Sequence, residues 1–225
     1  MWLNRTRFKN ESDYPTPRTV NAACKWLDEN KDADDFFLWI ELFDPHEPFD
    51  CPDEYLEIYN DNYQGPRYNW PKYAPVKEPD DATEHIQKRY AATLTMADRW
   101  LGKLFDVMDK HNLWEDTLLI FTGDHGHMLG EHNFLAKNYM HVYNELAHLP
   151  LFIHLPKSKN AGKRIGLLTQ NIDIMPTILD YYCIDIPQEV RGFSLKPALE
   201  GNTNKLRDVI LYGYHGMAVN VTDGE

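Results

Sequence analysis

The stretch from Thr117 to Lys137, TLLIFTGDHGHMLGEHNFLAK, constrains the chain more than any other. Its opening run, Leu118 to Thr122, is short, apolar and rich in β-formers, and Gly123 ends it, so it reads as a buried strand. Asp124 and His125 follow where the chain leaves the sheet. Ligands gather at the carboxyl ends of strands in open α/β sheets, and carboxylate and imidazole donors suit a divalent cation. Lys137 adds a fixed positive charge shortly afterwards. Gly126 and Gly130 permit the tight backbone turn that a loop around a small anion needs. Asp-His-Gly after a strand is also ordinary turn chemistry, and on this stretch alone both readings stay open.

At 225 residues the chain is long enough for one large domain with a real core, or for part of a bigger one. Its 43% hydrophobic and 26% charged residues are ordinary for a soluble globular protein. No apolar run approaches the roughly 20 residues that span a bilayer, and the start, MWLNRTRFKN, lacks the apolar segment of a signal peptide. No membrane partner is therefore expected, while compartment and oligomeric state stay open. The formal charge of −12 argues against nucleic acid as a partner. It also means that a pocket for an anionic ester must be made locally positive, as a cation and Lys137 would do. Cys24, Cys51 and Cys183 are odd in number, widely spaced and outside any Cys-x-x-Cys pair, so they read as idle or buried thiols.

Along the chain, Thr16 as N-cap and Pro17 at the first helical position predict a helix to about Asn30, with Val20, Ala23, Cys24 and Leu27 on one face. Phe36 to Leu42 reads as a strand covered on both faces. Directly after it, Phe43-Asp44-Pro45-His46-Glu47-Pro48-Phe49 is a rigid extended turn, because two prolines fix φ and remove donors. It holds His46 at the mouth of a strand; the alternative is a His packed on Phe43 or Phe49. Cys51 to Asp81 reads as a loop excursion with one short helical turn near Asp53 to Ile58, long enough to suggest a binding loop or lid. Its aromatics, among them Tyr63, Tyr68, Trp70 and Tyr73, either line a sugar pocket or pack the excursion onto the body. Ala82 to Leu113 is the clearest helix, capped by Asp81 or Thr83, with an apolar stripe of Tyr90, Leu94, Ala97, Leu101, Leu104, Phe105 and Met108. Beyond Lys137 the pattern predicts a short helix over Met140 to His148, a strand over Pro150 to Leu155, a helix beginning near Asn171, a short helix over Ser194 to Glu200 and a strand over Val209 to Tyr212.

The run TGDHGHMLGEH, then Lys137, then ELAHLPLFIHLP, together with the Asp-Pro-His-x-Pro turn at His46 and YAATLTMADRWLG in the long helix, resembles the sulfatase family of the alkaline phosphatase superfamily. The resemblance implies an α/β fold, part of an α/β/α sandwich with a mixed, largely parallel sheet. Residues 1–225 would form one incomplete domain, the middle and later part of a full-length sulfatase, with the excursion at about 51–81. Asp124 and His125 would be metal ligands, for Ca2+ above all, or for Mn2+ or Mg2+. Lys137 would bind the sulfate, His46 would stand beside the leaving-group oxygen, and the substrate would be a small-molecule or saccharide sulfate ester. His127, Glu131 and His132 are either supporting contacts or loop packing. The stretch from Asn171 to Leu179 is a structural marker in the family, without assigned chemistry.

The chain departs from the family in two places. Sulfatases use a formylglycine made from a Cys/Ser-x-Pro-x-Arg motif, and no cysteine or serine here stands in one. The family's early pair of metal-binding carboxylates also has no match. The expectation is a truncated sulfatase without turnover of its own, whose metal is held weakly because hard cations want about six or more ligands. A phosphonate monoester or phosphodiester hydrolase of the same superfamily shares the Asp-His pair, and a non-catalytic binding fragment also fits the missing nucleophile. A phosphoglycerate mutase relative is disfavoured by the lack of that family's additional His and Asp ligands.

Overall fold

The computed structural model describes residues 6–224; the sequence reading of Met1 to Arg5 lies outside the described residues. In chain order the helices are α1 (Pro15–Asn30), α2 (Asp53–Glu57), α3 (Asp80–Lys110), α4 (Asn144–Ala147), α5 (Ile174–Tyr181) and α6 (Lys196–Leu199). The strands are β1 (Ala74–Pro75), β2 (Leu119–Thr122), β3 (Met128–Leu129), β4 (Phe134–Ala136), β5 (Leu151–His154), β6 (Ile210–Gly213) and β7 (Val219–Thr222). The chain divides into two compact units, Met1–Thr117 with His127–Tyr139, and Leu118–Gly126 with Met140–Glu225.

In the first unit α1 packs along α3, burying Val20, Ala23 and Leu27. It begins one residue before the expected cap, with Pro15 and Pro17 in its first turn and no side-chain cap of its own. The long helix α3 exists as expected, and Ala97, Leu104 and Met108 of the apolar stripe are buried; Leu94 is exposed, and the buried face extends to Ile86, Met96 and Trp100 together with His85, Arg89 and Thr93. Those three polar residues are inside because each has a partner. His85 Nδ1 lies 2.7 Å from Asp61 Oδ2, Arg89 donates to Phe49 O at 2.7 Å, and Thr93 donates to Arg89 O at 2.9 Å.

A small antiparallel sheet, ordered β1-β4-β3, covers the remainder of this unit, with Ala74 opposite Leu135 and Met128 opposite Ala136. Phe49, Ile86 and Leu135 form its core, with Tyr68, Val76, Tyr90 and Leu129 against them. The excursion is thus sewn to the body by its own aromatics: Tyr63 stacks on His85 at 4.6 Å and Tyr68 packs on the core, whereas Trp70 remains exposed. The expected strand from Phe36 to Leu42 pairs with nothing among the described residues. Exposure alternates along it, with Phe37, Trp39 and Phe43 exposed and Phe36, Leu38, Ile40 and Leu42 half-buried, so it is not covered on both faces.

In the second unit β2 pairs antiparallel with β5, Ile120 opposite Ile153, and β6 pairs antiparallel with β7. The α/β class holds, and every strand pair among the described residues is antiparallel, so the parallel part of the expected mixed sheet is not seen among them. Parallel neighbours need long crossovers between strands of one sheet, and the described ladders have only two or three strands each. The helix expected over Met140 to His148 shrinks to the single turn of α4. A 3-10 turn, Asn171–Asp173, leads into α5 and is pinned by the wholly buried Asp173. That carboxylate accepts Gln170 N–H and Phe193 N–H, both at 2.8 Å, and the two-pronged Arg207 guanidinium at 2.5 and 2.6 Å. No helix of the described residues is long and apolar enough to cross a membrane.

Candidate active site

The second unit carries the acid and imidazole that close β2. Asp124 Oδ1 accepts the His125 backbone N–H at 2.8 Å, and Asp124 Oδ2 stands 3.3 Å from His125 Nε2. His125 Nδ1 lies 2.9 Å from Gly126 O. A carbonyl oxygen only accepts, so Nδ1 carries a proton, and Nε2 is the nitrogen that faces the carboxylate. Ligating histidines are commonly oriented in this way by a carbonyl on the other nitrogen.

The loop is held firmly. Gly126 N–H donates to Leu146 O at 3.0 Å, and a Cβ at Gly126 would stand 1.7 Å from Glu145 O, so only glycine lets α4 approach this closely. Both side chains of the pair face solvent, Asp124 at 85% and His125 at 43% of full exposure. Among the described residues no group of three or more His, Cys, Asp or Glu is placed to hold a metal. The pair therefore fits a divalent cation as two of its ligands, not as a complete set.

The first unit carries the other two residues. His46 sits in the double-proline turn, in which the Asp44–Pro45 and Glu47–Pro48 bonds are both cis. Its Nδ1–H donates to Glu47 O at 2.7 Å, and its ring leans on Phe43 at 4.6 Å between centroids. The packed histidine of the sequence reading and a histidine presenting Nε2 outward are thus compatible, since only Nδ1 is taken up by the turn.

Glu47 was not singled out by sequence, yet it is wholly buried at the back of this turn. Tyr73 donates its hydroxyl to Oε1, while Oε2 stands 3.4 Å from His46 Nδ1 and 3.7 Å from His127 Nδ1. Burial pushes the Glu47 carboxyl up, but the Tyr73 hydroxyl, a backbone hydrogen bond and the two imidazoles outweigh it and hold the group below the ordinary carboxylate value. His127 is nearly buried, with Phe49 at 5.4 Å and Tyr90 at 6.2 Å, and so belongs to the support of the His46 turn. A buried glutamate has no sequence signature; the one hint was its place between His46 and a turn-forcing proline.

Lys137 follows β4 and is 9% exposed. The backbone is left-handed on both sides of it, at Ala136 (φ 68°) and Asn138 (φ 85°). Non-glycine residues adopt that conformation rarely, and it clusters where a side chain is held for a purpose. Glu131 is exposed and accepts Leu129 N–H at 2.6 Å, which is loop packing. The structure thus brings Asp124 and His125 together in one unit and places His46 and Lys137 in the other.

The family model described as Sulfatase matches residues 2–183. An arylsulfatase of Clostridium perfringens is 29% identical over 95% of this chain and 47% of its own length. An N-acetylglucosamine-6-O-sulfatase of Bacteroides thetaiotaomicron is 34% identical over 52% of this chain and 21% of its own. Among solved structures, a protein in complex with its substrate D-glucosamine-2-N,6-O-disulfate aligns with a TM-score of 0.77 at 19% identity, covering 93% of this chain and 59% of that one. The chain spans about half the length, or less, of these curated relatives.

Proposed function

Because this chain belongs to the sulfatase family, we propose that it carries part of a metal-dependent sulfuric-ester hydrolase centre, and that the complete protein hydrolyses a saccharide sulfate. The observation that carries the proposal is the pairing of Asp124 and His125 at the end of β2, with the imidazole Nε2 3.3 Å from the carboxylate and Nδ1 turned to Gly126 O. The saccharide assignment is supported by two similar proteins, one named for N-acetylglucosamine 6-O-sulfate and the other solved with a disulfated glucosamine.

Asp124 and His125 supply two ligands to a divalent cation, with Ca2+ the first choice and Mn2+ or Mg2+ next. When bound, such an ion neutralises charge on non-bridging oxygens and acidifies a coordinated hydroxyl. Lys137 binds a sulfate oxygen through a charge-assisted hydrogen bond. His46 presents Nε2 toward the leaving alcohol, where a positioned proton donor is worth about 10²- to 10⁴-fold in rate. The Glu47 carboxylate stands 3.4 Å behind its Nδ1. The nucleophile and the remaining metal ligands are left to polypeptide outside this sequence.

The chain alone should therefore release no p-nitrophenol from p-nitrophenyl sulfate, and measurable turnover sensitive to a chelator would sink the partial-site reading. A protein extended to include the nucleophile should hydrolyse glucosamine 6-O-sulfate faster than phosphonate monoesters or phosphodiesters. The reverse order would move the assignment to the phosphonate and phosphodiester branch.

A further inference from the structure

Asn171 opens a stretch that the sequence reading left without chemistry. Its Nδ2 donates to Gly123 O at 3.0 Å and stands 3.5 Å from Asp124 O. One side-chain amide thus grips two consecutive carbonyls of the loop that carries the acid-imidazole pair. Asn171 is itself fixed. It starts the 3-10 turn that ends at Asp173, and Asp173 is locked by the Arg207 fork and by the Gln170 and Phe193 amides. Gln170 Nε2 adds a bond to Leu211 O in β6, at 2.6 Å. The opposite side of the loop is tied by the Gly126 N–H to Leu146 O.

We infer that Asn171 is a positioning residue for a divalent cation at Asp124 and His125, clamping the Gly123–Asp124 peptides so that carboxylate and imidazole stay 3.3 Å apart. Both side chains of the pair are solvent-exposed, so the geometry of the loop beneath them bears on how they meet. A loop gripped at only one end leaves each donor to explore its own rotamers, and assembling them then costs conformational entropy at every binding event. Partners behind metal ligands typically change affinity by about 10- to 100-fold when removed. The inference rests on the metal reading proposed above.

The test uses Mn2+ and the 225-residue chain, because paramagnetic broadening reports weak binding residue by residue and needs no catalysis. In the unmodified chain Mn2+ should selectively broaden the Asp124 and His125 backbone amides and the His125 ring signals. In Asn171→Leu, which keeps the size of the side chain but removes its donor, half-broadening should require at least about tenfold more Mn2+. The metal-free amide shifts of β2 and β5 should stay in place. An unchanged Mn2+ requirement would overturn the inference. So would weaker binding accompanied by displaced β2 and β5 shifts, since Asn171 would then merely hold the unit together. If the unmodified chain shows no selective broadening, the metal pair itself is wrong, and that failure appears in a different arm of the experiment.

Discussion

Replacing Gly126 by alanine tests how tightly the Asp124–His125 loop is built. The new Cβ would lie 1.7 Å from Glu145 O, 2.7 Å from Glu145 C and 3.1 Å from Leu146 Cα. All three are backbone atoms, so no side chain can rotate away. To restore ordinary contact the loop must draw back from α4 by well over an ångström, which breaks the 3.0 Å bond from Gly126 N–H to Leu146 O. A lost hydrogen bond costs about 1 kcal/mol and overpacking about 1–3 kcal/mol, giving about 2–4 kcal/mol in all. The matched control is Gly123→Ala, whose Cβ meets nothing within 4 Å and whose backbone is not left-handed; it should fall within about 0.5 kcal/mol of the unmodified chain. Urea unfolding gives the energies, and amide exchange at Gly126 locates them. The reasoning fails if Gly126→Ala unfolds within about 0.5 kcal/mol of the control and its residue 126 amide stays protected.

Arg207→Ala leaves the buried Asp173 carboxylate with only backbone donors, and stripping one partner from a buried pair typically costs about 3–5 kcal/mol; denaturant midpoints of the second unit would show it. Glu47 has a folded-state pKa below that of the unfolded chain, so its stabilisation is complete above the ordinary value of 4.5 and is lost as pH falls through the lower folded value. Stability against urea between pH 5 and pH 3 should therefore drop more steeply in the unmodified chain than in Glu47→Gln; parallel curves would contradict the assigned contacts. Burial pushes the Cys51 thiol up to about 11, whereas Cys183 is exposed. At pH 8 a thiol reagent should modify Cys183 promptly and Cys51 only on unfolding, as read by peptide mass mapping.

The elements legible in the sequence were those whose signal is local. The β2 and β5 strands and the α1 and α3 helices follow from apolar runs and periodicity, and the excursion was placed with its short α2 turn. What the sequence hid was set by partners distant along the chain. The buried face of α3 includes Arg89 because Phe49 O, 40 positions away, accepts its hydrogen bond, and no periodicity records that. Phe36 to Leu42 has a strand's composition, but a strand is completed by its neighbour, and none stands beside it among the described residues. At the candidate site the Asp124 and His125 pair was readable because strand, glycine and donors are adjacent. Glu47, Tyr73 and Asn171 were not, because each acts through a contact made only after folding. His127 lay between two readings, and its place 3.7 Å from Glu47 Oε2 is set by the fold rather than by neighbouring sequence.

The interleaving of the two units bears on how such a polypeptide can be made. The first unit ends at Thr117, resumes at His127 and finishes only at Tyr139, while β2 and its loop belong to the second. On a ribosome, the nascent first unit must therefore wait until β3 and β4 have emerged before β1 finds its partner and His127 reaches Glu47. No single cut in the gene separates the two halves cleanly, since either product would lack a piece the other retains.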